Sequence, residues 1–145
     1  MDNEPTKLVL DKICNGAQNL LKVIHLNAQS LTYKCHADEF TYLFSGSNHD
    51  IISVSETFYN AESDVVPLQG YNVFTANRTS HEGGGVVVYV RSSLKYTILS
   101  QSVSPLHREA RPDFIILEVC LQRSKILFVS VYRPPQGRSP FPAPG

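Results

Sequence analysis

The sequence predicts an α/β (α+β) domain, a mixed sheet with one main helix packed on it, and three observations carry that expectation. Two apolar, β-branched runs, Leu21–Leu26 and Ile51–Ser55, flank a segment with helical periodicity. A third run, Val86–Val90, is too apolar to be exposed on either face, as in a central strand. Two longer apolar runs, Phe114–Leu121 and Ile126–Tyr132, are separated only by the polar Gln122–Lys125, as in a hairpin.

Composition sets the frame for these elements. With 145 residues, 42% hydrophobic and 18% charged, the chain matches one ordinary folded domain of the soluble class. No apolar run reaches the roughly 18 residues that cross a bilayer, and the acidic, polar start Met1–Pro5 is unlike a signal peptide, so an intracellular protein with no membrane partner is expected. Cys14, Cys35 and Cys120 are odd in number and widely spaced, which speaks against a disulfide framework or a zinc site and favours buried thiols. His25, His36, His49, His81 and His107 show no paired ligand spacing and read as surface or hydrogen-bonded histidines.

The zero net charge conceals an asymmetry. Residues 1–64 carry four Lys and nine acids (4 − 9 = −5), and residues 65–145 carry nine bases and four acids (9 − 4 = +5). All seven arginines lie at or after Arg78. Arginine's planar fork suits phosphate, so the second half has the composition of a phosphate-facing surface, and equally that of a solvated basic face.

Along the chain, residues 1–21 form a leader with a short helix expected from Lys7 to Cys14, ended by Asn15-Gly16. Residues 22–135 form the domain. Its first strand ends at Asn27, and a helix follows from Leu31 to Phe44, with Ser30 as N-cap and Tyr33, Ala37, Phe40 and Phe44 on one face. The second strand, Ile51–Ser55, ends at Glu56. A right-handed crossover makes these two strands parallel, so Asn27 and Glu56 share the C-terminal edge of the sheet, where α/β folds place their ligands. Further strands are expected at Tyr71–Thr75 and Tyr96–Leu99. Gly83-Gly84-Gly85 is a flexible turn rather than a phosphate cradle, because no Lys-Ser or Lys-Thr follows and a strand stands where the helix should be. Pro134-Pro135 stops the last strand, and residues 136–145 are a proline-rich tail expected to be disordered.

Five stretches, in order, carry a family resemblance. They are Val23-Ile24-His25-Leu26-Asn27-Ala28-Gln29-Ser30-Leu31 with Lys34, then Asp50-Ile51-Ile52-Ser53-Val54-Ser55-Glu56-Thr57-Phe58, and Gly70-Tyr71 leading to Asn77-Arg78. Gly83-Gly84-Gly85 with Val88-Tyr89-Val90-Arg91, and Val131-Tyr132-Arg133-Pro134-Pro135, complete the set. Together they resemble the N-terminal part of the endonuclease domain of a non-LTR retrotransposon, within the endonuclease/exonuclease/phosphatase superfamily. The resemblance implies about half of a four-layer α/β/β/α sandwich of the deoxyribonuclease I-like type, and metal-dependent cleavage of DNA phosphodiesters. Asn27 would hold a phosphate oxygen or a partner side chain, Glu56 would bind Mg²⁺ (or Mn²⁺), and Tyr132 would bond the scissile phosphate. Gln29 would have at most a water-mediated role, and Arg78 and Arg133 would contact the DNA backbone. Activity on genomic DNA implies nuclear access.

The sequence departs from that family after Tyr132-Arg133-Pro134-Pro135: no Asp-x-Asn or Asp-His motif follows. Those motifs supply the base that activates water, so the resemblance implies a fragment that does not cut by itself. The sheet face meant for the second half is then expected to be exposed, with Phe114–Leu121 and its partner strand adding to it. That face would serve the second half of the domain or self-association. The alternatives are an active endonuclease completed by residues from elsewhere, a non-catalytic retroelement remnant that binds DNA or a partner, and a phosphatase-like relative acting on other phosphate esters.

Overall fold

The computed structural model describes residues 4–16, 20–77, 83–103 and 112–133, without the side chains of 13–16. The elements are α1 (Glu4–Gly16), β1 (Val23–Asn27), α2 (Lys34–Phe44), β2 (Ile51–Ser55), β3 (Tyr71–Ala76), β4 (Val86–Arg91), β5 (Lys95–Gln101), β6 (Asp113–Cys120) and β7 (Lys125–Tyr132). They build two sheets. The first is mixed, in the order β1-β2-β4-β3, and the second is antiparallel, in the order β5-β6-β7.

The expected βαβ unit is present, with β1 parallel to β2 and Asn27 in register with Ser55. β2 and β4 are central because their residues suit no exposed position. Val86 to Val90 are wholly buried, as are Ile51, Ile52 and Val54. Strand alternation divides them between two cores. Ile52, Val54, Val87 and Tyr89 face α2 and pack with Phe40 and Phe44. Ile51, Val86, Val88 and Val90 face the second sheet and meet Ile115, Leu117 and Val119 of β6. Each fully buried Val, Ile or Leu contributes about 1.5–3 kcal/mol, so this two-sided burial fixes strand register.

The helix layer is larger than expected, since α1 runs from Glu4 to Gly16 rather than from Lys7 to Cys14. It docks on α2, with Lys7 Nζ donating to the Ser45 carbonyl (3.1 Å) and Tyr42 Oη donating to Glu4 Oε2 (2.5 Å). The start of α2 is a correction. The helix begins at Lys34, not Leu31, and Ser30 does not cap it. Ser30 is instead held at φ 86°, its hydroxyl bonded to the Thr32 hydroxyl at 2.6 Å. The reason is that residues 28–31 follow the edge of β2. Ala28 N–H donates to the Ser55 carbonyl, Ser30 N–H to that of Glu56 and Leu31 N–H to that of Thr57, at 2.8–2.9 Å.

The inner face of the first sheet is also not exposed. β5, β6 and β7 fold back over it, because Ile115, Leu117 and Val119 alternate toward the first sheet and bury there completely. The apolar surface moves outward by one layer, to Leu99, Leu127, Val129 and Val131 on the outer face of the second sheet. Buried thiols are corrected too: Cys35 is exposed in the first turn of α2, and Cys120 is half-buried on the outward side of β6. The side chain of Cys14, and all of Arg78, His81, His107 and residues 134–145, lie outside the described residues. Among the described residues no helix is long and apolar enough to cross a membrane.

Candidate functional site

The C-terminal ends of β1 and β2 lie side by side, and β7 of the second sheet packs over β2 and β4. Three predicted site residues stand at these ends. Asn27 closes β1, Glu56 follows β2, and Tyr132 closes β7. Tyr132 Oη donates to Glu56 Oε1 at 2.7 Å, so one bond joins the last residue of one sheet to the carboxylate just past a central strand of the other. Asn27 is exposed beside them, its Oδ1 accepting the Gln29 N–H at 3.1 Å. That small Asx turn lets Gln29 sit at φ 46°. Arg133 is exposed immediately after Tyr132. Arg78 lies outside the described residues.

The backbone here is unusual for its residue types. Gln29, Ser30, Glu56 and Phe58 have positive φ, at 46°, 86°, 54° and 61°, and they are the non-glycine residues in that region among those described. All four lie in the loops that leave β1 and β2. Left-handed backbone costs a non-glycine residue about 1–2 kcal/mol, and such strain tends to collect at functional sites. The three ladder bonds from residues 28, 30 and 31 to residues 55, 56 and 57 hold the strained loops together.

The glycine turn predicted at residues 83–85 is the third wall. Gly85, at φ 89°, lies so close to Thr57 that a Cβ there would come 2.6 Å from Thr57 Oγ1. Its N–H donates to Asp113 Oδ2 at 3.0 Å, and Phe58 N–H donates to the Gly84 carbonyl at 3.0 Å. Asp113 is buried, at the first position of β6 and paired in register with Tyr132. Thr57 is wholly buried, and its hydroxyl has no hydrogen-bond partner among the described residues.

A second polar chain crosses between the sheets, from the buried Ser130 and Ser53 out to the exposed His25. Ser53 Oγ bonds Ser130 Oγ at 2.7 Å and His25 Nδ1 at 2.8 Å, and Ser55 Oγ approaches His25 Nε2 at 3.4 Å. His25 is thus a hydrogen-bonded histidine, as are His36, bonded to the Ser30 carbonyl, and His49, bonded to the Ser47 hydroxyl. A cavity of about 220 Å³ opens on the other side of β1, between Leu26, Asn27 and Gln29 and the α2 residues His36 and Phe40; neither Glu56 nor Tyr132 lines it.

Among the described residues there is no group of three or more His, Cys, Asp or Glu able to cage a metal ion. The donor set at Glu56 is that of a different kind of site: one half-exposed carboxylate with an amide side chain on the adjacent strand end. A divalent ion on one carboxylate would need water and substrate phosphate to complete its shell. Sequence reasoning missed Phe58, Thr57 and Asp113. Positive φ at Phe58 and the orphaned Thr57 hydroxyl have no signature in the sequence, whereas Asp113, a carboxylate opening an apolar strand, was visible.

With this geometry in hand, the comparisons with known proteins settle the fold. No family model matches the sequence, and no curated protein matches it. Among solved structures, the chain superposes on the crystal structure of AP endonuclease LMAP from Leishmania major with a TM-score of 0.52 and 18% sequence identity. The fold is deoxyribonuclease I-like. The match covers 76% of this chain and 39% of the Leishmania chain, so the protein spans well under half of that neighbour's length. At this identity the likeness is one of fold. In deoxyribonuclease I-like terms, the described residues supply a helix layer and two stacked sheets, three of the four expected layers.

Proposed function

We propose that this chain is the metal- and phosphate-binding portion of a DNA nuclease of the kind found in non-LTR retrotransposons, and that these 145 residues bind DNA without cutting it. The observation that carries this reading is the 2.7 Å bond between Tyr132 and Glu56 at the C-terminal edge shared by the two sheets. It supports the reading because a phosphodiester could lie across the joined phenol and carboxylate, with Asn27 on the neighbouring strand end.

In this reading Glu56 holds Mg²⁺, or Mn²⁺, and the ion when bound neutralises charge on the phosphate and leaving group. Asn27 donates its amide to a phosphate oxygen. Tyr132 gives its hydroxyl to a second phosphate oxygen when DNA displaces it from Glu56, and meanwhile holds the carboxylate in place. The strained loops at residues 29–30 and 56–58 keep these groups in place before substrate arrives, which spares the cost of ordering them. Arg133 contacts the DNA backbone, the role the family resemblance also gives to Arg78, which lies outside the described residues.

Hydrolysis also needs a base to activate water, and the Asp-x-Asn and Asp-His motifs that supply it in the resembled family are absent from the sequence. Such residues would come from a further segment packed on the outer apolar face of β5–β7, which is otherwise a surface for self-association. Acting on chromosomal DNA would require nuclear access. The test is a supercoiled-plasmid nicking assay with Mg²⁺, paired with a DNA-binding assay. Binding without nicking is expected. Robust nicking lost in Glu56→Ala would overturn the claim of inactivity, and absence of DNA binding would overturn the function.

A further inference from the structure

Phe58 is at odds with its surroundings. It lies two residues past Glu56, directly after the fully buried Thr57, yet it is 36% exposed. It also sits at φ 61°, where a bulky side chain is rare. A glycine or asparagine would adopt that conformation at less cost. The position is not loosely held. Its N–H is fixed to the Gly84 carbonyl, and the Leu31 N–H to Thr57 carbonyl bond (2.9 Å) anchors the preceding peptide. The ring edge faces Gly83, where a Cβ would sit 3.8 Å from Phe58 Cε1, an ordinary van der Waals distance. Backbone strain and a fixed peptide together hold a partly exposed aromatic ring two residues past Glu56.

The neighbouring loop repeats the theme. Tyr33, two residues beyond Leu31, is 61% exposed and stands edge-on to His36, with ring centroids 5.6 Å apart. Lys34 beside it is exposed, with its ammonium paired to Asp38 at 2.6 Å. Exposed aromatics interleaved with bases along one edge form the usual surface for single-stranded nucleic acid, because every base has a π-face and the phosphates need cations.

We propose that Phe58 is a stacking platform that receives an unpaired base of the nucleic acid whose phosphate lies at Glu56 and Tyr132, giving the site a preference for single-stranded or locally opened DNA. This rests on the DNA-binding function proposed above. Stacking on Phe58 sets the register of the strand, and Tyr33 offers a second exposed ring beyond the end of β1.

The chain contains no tryptophan, so Phe58→Trp introduces a unique fluorophore at the platform. Titration of the full chain carrying this substitution with a single-stranded oligodeoxynucleotide is expected to quench the indole, and the same sequence as a blunt duplex to quench it much less. In anisotropy titrations of the same labelled strand, Phe58→Ala and Phe58→Leu are expected to weaken binding by roughly 5- to 100-fold, the range for loss of one base–aromatic stack. Phe58→Trp is expected to retain it, and circular dichroism to report an unchanged fold for all three. If the wild-type chain binds DNA but the indole is not quenched and Phe58→Ala binds equally well, the platform is wrong and the proposed function stands. If the wild-type chain binds neither form of DNA, both fail.

Discussion

Gly85→Ala is the substitution whose cost follows most directly from the geometry. Two effects add. The residue sits at φ 89°, where any Cβ is strained by about 1–2 kcal/mol. The new methyl would also stand 2.6 Å from Thr57 Oγ1, and forcing that wholly buried side chain aside is overpacking, about 1–3 kcal/mol. The sum is about 2–5 kcal/mol, a large share of the roughly 5–15 kcal/mol that holds a domain of this size. A double-mutant cycle separates the two, measured by urea denaturation with far-UV circular dichroism. Thr57→Ala removes the hydroxyl, which has no partner to lose, and in that background Gly85→Ala should cost only the backbone part, about 1–2 kcal/mol. Equal costs of Gly85→Ala in both backgrounds would refute the contact, and a cost below about 0.5 kcal/mol would refute the whole placement of the turn.

Three further outcomes are expected. Tyr132→Phe removes the hydroxyl that holds Glu56 and should lower stability by about 1 kcal/mol, with a larger relative loss in DNA binding than Val129→Ala; a double-mutant cycle with Glu56→Gln that shows no coupling would contradict the bond. Burial first, then Arg91 and Lys22, against the opposing pull of Asp11 and Asp50, push His49 below its ordinary 6.5, so the folded chain resists protonation there. Its contribution is complete above about pH 6.5 and declines as pH falls below it; denaturant midpoints taken across that range should drop, and a His49→Asn variant should lack that part of the slope. Val129→Lys, on the outer side of edge strand β7, should leave stability within about 0.5 kcal/mol and reduce aggregation seen by light scattering; unchanged aggregation would remove that face as the sticky surface.

Particular residues show what the sequence made legible. The runs Ile51–Ser55 and Val86–Val90 admit no exposed face, and the spacing of Phe40 and Phe44 admits only a helix lying on them, so the βαβ unit and its central strands could be read directly. The stacking of the hairpin could not. In Phe114–Leu121 both faces are apolar, with Ile115 and Leu117 on one and Phe114 and Ile116 on the other, and nothing local says which turns inward or onto what. Ser30 looked like a cap because capping is a local preference, and the tertiary ladder from residues 28–31 to β2 overrode it. Glu56 and Asn27 were legible as strand-end residues of parallel neighbours. Tyr132 was expected at the site only through family resemblance, as a phosphate contact, and its bond to Glu56 was not foreseen, since it depends on the second sheet folding back across 76 residues of sequence. Phe58 was the least legible of all, because an exposed phenylalanine and a buried one are the same letter.

The proposed function requires that Glu56 be a metal-dependent DNA-binding position. The decisive measurement is fluorescence anisotropy of a labelled DNA strand, with wild type and Glu56→Ala, in Mg²⁺ and again after chelation. Wild-type affinity should fall on chelation, by a factor that disappears in Glu56→Ala, while circular dichroism shows both chains folded. An Mg²⁺ dependence that persists unchanged without the Glu56 carboxylate, or no binding by the folded wild-type chain in either condition, would contradict it.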